Sequence, residues 1–160
     1  MGRQGWIVSP VPSTRYAASV SAVLCPFHLA IPVDDLARCR RFYGERMGCP
    51  EGRSSARWVD FDFFGHQLVI HEVEGHAGLA GRNRVDGESV PVPHFGLVLS
   101  MADWEALRDR LVAARVRFEI EPTIRFPGEV GEQATMFLFD PAGNALEFKA
   151  MRDPSRLFAK

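Results

Sequence analysis

The sequence is short of the features that assign a protein quickly. No apolar run approaches the ~20 residues that a membrane-spanning helix needs. Neither sign of charge dominates: 19 Lys and Arg against 20 Asp and Glu leave a formal net charge of -1. Nothing electrostatic therefore recommends a nucleic acid or a membrane surface as partner. Cysteine is scarce. Cys25, Cys39 and Cys49 fit neither a zinc spacing nor a paired disulfide set, which points to a reducing, cytoplasmic setting with the thiols as small hydrophobes. Tyrosine stops at Tyr43 and histidine at His94. Residues 1–25 contain no acid and carry Arg3 and Arg15 among Ser, Ala and Pro. A transit peptide has that bias, but no amphipathic helix accompanies it, and the segment reads as an N-terminal extension.

What remains is ordinary material for a globular domain: 160 residues, 46% hydrophobic and 24% charged, enough for one domain or two fused small modules. Residues 26–33, PFHLAIPV, read as a strand. Asp34 is placed to cap a following helix, in which Leu36, Cys39, Tyr43 and Met47 recur at helical spacing until Gly48 and Pro50 end it. Residues 57–63 and 67–73 read as strands joined tightly through Phe64, Gly65 and His66. The Gly-rich, aperiodic stretch 74–91 reads as a linker loop. A strand over 94–99 precedes Ser100, a candidate cap with Asp103 three residues on. Trp104, Leu107, Leu111 and Ala114 form the apolar stripe of a second helix. A short strand over 118–121, a loop over 122–132 and strands over 135–139 and 145–149 complete the pattern, the last two joined by an Asp-Pro-Ala-Gly-Asn turn.

The two halves share one order: strand, helix, then antiparallel strands. FHLAIPVDDLARCRRF lies over PHFGLVLSMADWEALRDRL when His28 is set on His94. The expected organisation is an extension (1–25), one α+β domain (26–151) and a tail (152–160). The domain divides into module one (26–73), the linker (74–91) and module two (92–151).

Chemistry-bearing residues concentrate on the first and last strands of each module. Strand side chains alternate faces, so His28 shares a face with Ala30 and His94 with Gly96, leaving room beside each imidazole. Glu147 lies in the apolar run ALEF, where an unpaired carboxylate is costly to bury; a metal ion or a basic residue would answer for it. His71 ends module one as Glu147 ends module two, so the repeat would bring His28, His94, His71 and Glu147 toward one pseudo-twofold axis. Two imidazoles and a carboxylate suit Fe(II), Mn, Ni, Co or Zn and leave open positions for substrate. Gln67 and Lys149, on the faces of His71 and Glu147, are the candidate substrate contacts. His66 alternates to the other face, and His76 reaches a pocket only if the linker folds over it.

From 26 to 151 the sequence resembles the glyoxalase/bleomycin-resistance/extradiol-dioxygenase superfamily, the vicinal oxygen chelate proteins. FHLAIPVDDLARCRRFY, PHFGLVLS and DPAGNALEF carry the resemblance, and RWVDFDFFGHQLVIHEV is similar to a subgroup of extradiol-type dioxygenases. The resemblance implies two βαβββ modules forming an eight-stranded, partly closed mixed sheet around a metal pocket. It implies one divalent metal ion held by His28, His94 and Glu147, with Fe(II) first and Mn, Ni, Co and Zn as alternatives. For His71 it implies either a fourth ligand or, preferably, proton transfer near the substrate.

There are departures from the pattern. Catechol-cleaving members use a further His and a Tyr in the last module, and here both are missing. The expected function is a metal-dependent enzyme on a small oxygenated or phenolic substrate, an Fe(II) dioxygenase first. A glyoxalase-like isomerase or lyase and a metal-free drug-binding protein are the alternatives, and the complete ligand set speaks against the last. A homodimer is expected, with the modules paired within a chain or exchanged between chains.

Overall fold

β-branched, aromatic and aliphatic residues build most strands of both halves, the exposed EGRS strand of the first half excepted. The computed structural model describes residues 25–78, 81–85, 88–129 and 131–158, so the expectations for residues 1–24 lie outside the described residues. The first half runs β1 (His28–Val33), α1 (Leu36–Arg41), a π-helical turn (Phe42–Met47), β2 (Glu51–Ser54), β3 (Trp58–Phe63) and β4 (His66–Glu72). A hairpin of β5 (Gly81–Val85) and β6 (Glu88–Val92) follows. The second half runs β7 (Phe95–Leu99), α2 (Met101–Ala113), β8 (Phe118–Arg125), β9 (Gln133–Phe139) and β10 (Ala145–Met151). Among the described residues no helix is long and apolar enough to cross a membrane.

The repeat is present in three dimensions. Each half forms a four-stranded sheet, ordered β1-β4-β3-β2 and β7-β10-β9-β8. β1 pairs in parallel with β4 and β7 with β10, while the remaining pairs are antiparallel. The eight strands do not join into one sheet, however, which corrects the expectation of a single eight-stranded, partly closed sheet. β1 and β7 are each the edge of their own sheet, and the halves meet through their helix-bearing faces instead. One core takes Ile31, Val33, Leu68 and Ile70 from the first sheet and Met136, Leu138, Leu146 and Phe148 from the second, with Tyr43, Trp104 and Leu111 from the helical segments. Polar ties cross the same seam. The Tyr43 hydroxyl donates to Asp140 at 2.9 Å, Asn144 Nδ2 donates to the Pro32 carbonyl at 2.9 Å, and Arg110 donates to the carbonyls of Glu45 and Arg46 at 2.9 Å each.

Local signals mostly hold, with informative exceptions. Ser100 caps α2, its hydroxyl oxygen accepting from the Asp103 N–H at 3.1 Å, and Trp104, Leu107 and Leu111 are buried as the stripe requires. Asp35, not Asp34, caps α1 by accepting from the Arg38 N–H at 2.8 Å; Asp34 instead pairs with the Arg38 guanidinium one turn on. The 74–91 linker holds the β5–β6 hairpin, whose Gly81–Val85 strand is exposed throughout and so shows no alternation of buried and polar residues. β8 runs on through Pro122 to Arg125 because it is a sheet edge, where a residue without an N–H breaks no ladder.

Candidate functional site

Each sheet buries one face in the shared core and turns the other away. Inward Ile31, Leu68 and Ile70 leave His28 and Ala30 of β1, and Gln67, Val69 and His71 of β4, on the other face of the first sheet. Inward Leu146 and Phe148 do the same for Ala145, Glu147 and Lys149 of β10, beside His94, Gly96 and Val98.

On the second sheet the structure brings three of the expected residues together. His94 Nε2 stands 3.2 Å from Glu147 Oε2. His94 Nδ1 is 2.7 Å from the Pro91 carbonyl oxygen. A carbonyl only accepts, so Nδ1 carries a hydrogen and Nε2 is the nitrogen turned toward Glu147. Glu147 is 8% exposed; its Oε1 accepts from the Thr135 hydroxyl at 2.9 Å and lies 3.2 Å from Lys149 Nζ. With Nε2 bare, it and Oε2 are two acceptors turned to each other, and a cation between them would satisfy both. Two ligands each about 2.1 Å from one ion stand about 3.0 to 3.4 Å apart at right-angle to tetrahedral geometry, and the observed 3.2 Å falls in that interval. The donor set fits a divalent metal ion.

Gly96 is the condition for this arrangement. It lies opposite Glu147 in the parallel ladder, and a Cβ there would overlap the Glu147 carbonyl oxygen. The small residue beside His94 therefore serves the close approach of two backbones as well as open space.

His28 is prepared in the same way but elsewhere. Its Nδ1 meets Gln67 Oε1 at 2.7 Å, and Gln67 Nε2 donates to Asp60 Oδ2 at 3.2 Å. The structure thus places Gln67 as the partner of His28. Among the described residues no three His, Cys, Asp or Glu side chains gather at one point, so one chain by itself does not bring His28 to the His94–Glu147 pair.

The ladder register also revises the repeat. His28 lies opposite Gln67, Ala30 opposite Val69 and Pro32 opposite His71, whereas Gly96 lies opposite Glu147 and Val98 opposite Lys149. With His28 set on His94, Val69 matches Glu147 and His71 matches Lys149. The fourth convergent position is therefore a valine, 5% exposed, which cannot ligate. His71 is exposed, roughly 13 Å along β4 from Gln67 at ~3.3 Å per residue, with its ring centroid 6.5 Å from that of Trp58.

Two hollows flank His94. One, about 250 Å³, opens over Gly96, Val98, Glu147 and Lys149. The other, about 260 Å³, has apolar walls that include Leu29, Pro32, Pro93 and Phe95, and also contains His76. His76 Nε2 is buried there and has no hydrogen-bond partner among the described residues, so it is available to an entering ligand. The linker does fold over: Gly78, at φ 71°, packs on the backbone of Gly143 in the β9–β10 turn. That contact joins the linker to the second half across a long stretch of chain, which no local pattern announces. His66 is structural, its Nδ1 accepting from the Phe27 N–H at 2.9 Å. Burial pushes the Cys39 and Cys49 thiols up to about 12, as inert core residues.

A family model described as the Glyoxalase/Bleomycin resistance protein/Dioxygenase superfamily matches residues 26–148. Among solved structures, the chain is 31% identical to a glyoxalase/bleomycin resistance protein/dioxygenase from Alicyclobacillus acidocaldarius, over 84% of this chain and 96% of that one, with a TM-score of 0.68. It is 19% identical to lactoylglutathione lyase from Agrobacterium tumefaciens, over 79% and 92% of the two chains, with a TM-score of 0.54. It is also 19% identical to a mutant of the fosfomycin resistance protein FosX from Listeria monocytogenes, complexed with Mn(II) and 1S,2S-dihydroxypropylphosphonic acid, over 87% and 98% with a TM-score of 0.59. The last two likenesses speak to the fold. No curated protein sequence matches.

Proposed function

The chain belongs to the glyoxalase/bleomycin resistance protein/dioxygenase superfamily, and from that footing we propose that it is a divalent-metal-dependent enzyme acting on a small substrate with two neighbouring oxygens. The observation that carries this reading is the His94–Glu147 pair, an imidazole Nε2 and a buried carboxylate oxygen 3.2 Å apart, oriented by the Pro91 carbonyl and the Thr135 hydroxyl. His28 is the third ligand, and it comes from a second copy of the chain. In a twofold dimer the open β1 edge of one copy lies beside the open β7 edge of the other. Each of two equivalent sites then takes His28 from one copy and His94 and Glu147 from its partner.

When bound, the metal would polarise the substrate oxygens or, as iron, bring substrate and O2 together. The chain's own residues do the rest. Thr135 and Lys149 orient Glu147, and the Lys149 ammonium also attracts an anionic or phenolic oxygen. His76 Nε2 offers a polar contact in the apolar hollow on the other side of His94. His71 is assigned proton transfer or substrate contact at the far end of its sheet face.

Fe(II) and dioxygenation are the finer reading, because two His and one carboxylate leave adjacent positions open. Non-redox isomerase or lyase chemistry with Mn, Ni, Co or Zn is the second. It is favoured by the lack of any His after His94 or Tyr after Tyr43.

The test is elemental analysis of protein prepared anaerobically with Fe(II) available, comparing the unaltered chain with Glu147→Ala and His28→Ala. About one metal per chain, lost in both variants, is expected. Iron with oxygen uptake on phenolic substrates selects the first reading, and Zn, Ni or Mn selects the second. A folded, metal-free wild type would sink both.

A further inference from the structure

The face that carries His28 also carries a buried carboxylate that the site described so far does not use. Asp60 on β3 is 7% exposed and sits opposite Val69 in the β3–β4 register. A carboxylate is costly to bury without partners. Asp60 has two: its Oδ2 accepts from Gln67 Nε2 at 3.2 Å and from Arg53 Nε at 3.4 Å. The Arg53 side chain is 81% exposed, so that pair alone is weak. The Gln67 contact is the directed one.

The donor and acceptor chemistry then runs one way. Asp60 Oδ2 accepts from the Gln67 NH2, which turns the Gln67 carbonyl oxygen toward His28. That oxygen also only accepts, and His28 Nδ1 lies 2.7 Å from it. Nδ1 therefore carries the hydrogen and Nε2 keeps the lone pair. A histidine free in water favours the opposite tautomer, with hydrogen on Nε2. In module two the Pro91 carbonyl does the same work on His94 Nδ1, also at 2.7 Å. One module thus uses a backbone oxygen and the other a three-strand chain of side chains to leave Nε2 bare.

We propose that Asp60, acting through Gln67, is a positioning residue that fixes the His28 imidazole with Nε2 unprotonated and facing outward as a metal ligand. The role of this tautomer rests on the proposed function; the tautomer itself does not. A ligating imidazole generally needs such an outer partner, and losing it typically lowers metal affinity about 10- to 100-fold.

The experiment uses metal-free, full-length protein with 15N-labelled histidine at pH 8, above the ordinary imidazole range near 6.5. Long-range 1H–15N correlation distinguishes the two tautomers, and His28→Gln assigns the resonance. The unaltered protein is expected to show His28 with hydrogen on Nδ1. Asp60→Asn keeps an acceptor for Gln67 and should retain that form. Asp60→Leu should release Gln67 and move the ring toward hydrogen on Nε2; Gln67→Met, which removes the intermediary, should do the same if the first variant fails to fold. Zn(II) affinity should fall about 10- to 100-fold in both releasing variants and little in Asp60→Asn. Hydrogen on Nε2 in the unaltered protein, or an unchanged tautomer in either folded releasing variant, overturns the proposal. A protein that passes the tautomer test yet binds no Zn(II), Fe(II) or Mn(II) overturns the metal-dependent function and the ligand role of His28, while the Asp60–Gln67 orientation stands.

Discussion

Mixing two metal-free variants locates His28 directly. A chain with His28→Ala keeps His94 and Glu147, and a chain with Glu147→Ala keeps His28. The structure pairs His94 with Glu147 inside one chain and holds His28 apart on a different sheet. If each site draws His28 from one copy and the pair from the other, each variant alone forms dimers with two broken sites. Random reassortment of equal amounts gives about half mixed dimers, and each of these has one intact site and one missing two ligands. The mixture should therefore regain about a quarter of the wild-type metal, and tandem-tagged mixed dimers about half. Elemental analysis after exchange in mild denaturant measures this, with native mass spectrometry to show that mixed dimers formed. If the three ligands met within one chain, neither variant would hold a full set and no mixture would recover metal. Mixed dimers that stay empty while the wild type binds metal would refute the shared site, as would a metal-loaded wild-type monomer.

Other outcomes follow from the same geometry. Gly96→Ala should force β7 and β10 apart where a Cβ overlaps the Glu147 carbonyl. The cost should be about 1–3 kcal/mol, read as a lower Tm together with metal loss; unchanged values for both would refute the close approach. Tyr43→Phe removes the 2.9 Å bond to buried Asp140 that ties the two halves. It should lower unfolding stability by about 1–3 kcal/mol in urea titration, and a change under about 0.5 kcal/mol would show that the tie is not used. Cys39 and Cys49 are buried and held near 12, whereas Cys25 is exposed. A thiol reagent at pH 8 should therefore titrate one thiol per native chain and three after denaturation. The two buried thiols stay protonated in the folded state while the unfolded thiols ionise from about 9. Their contribution to stability is thus fully present below pH 9 and is lost as pH rises toward 12, a decline that Cys39→Ala should reduce; an unchanged alkaline limb would refute it.

Much of the fold is written in short-range terms. The Ser100 cap, the Trp104–Leu107–Leu111 stripe and the turn at Asp140 depend on residues within a few positions of each other, so spacing alone reveals them. The cap of α1 slipped by one residue because Asp34 and Asp35 are both competent, and only the direction of the chain leaving β1 chooses between them. The β5–β6 hairpin escaped because neither face of its first strand is buried, leaving no hydrophobic period to read.

The site divides along the same line. Alternation places His28, His94 and Glu147 on the faces turned from the core, and the repeated module order is plain in the chain. Alternation is blind to a shift of two residues, however. Val69 and His71 point the same way, and only the β1–β4 ladder shows that Val69 is the counterpart of Glu147. The Asp60–Gln67–His28 chain is equally invisible in one dimension, since its members sit on three different strands brought side by side by pairing. Helix and strand periods act between near neighbours, so the strand–helix–strand order of both halves, the kinds of donor atom and the faces that carry them are legible in the chain, whereas β2 (Glu51–Ser54), exposed throughout, has no period to read. The tertiary structure alone decided that the two halves form two sheets with separate edges, leaving His28 apart from His94 and Glu147. An edge strand offers the same N–H and C=O groups to its own chain or to a partner, so no residue pattern distinguishes the two pairings; the packing of the helix-bearing faces does.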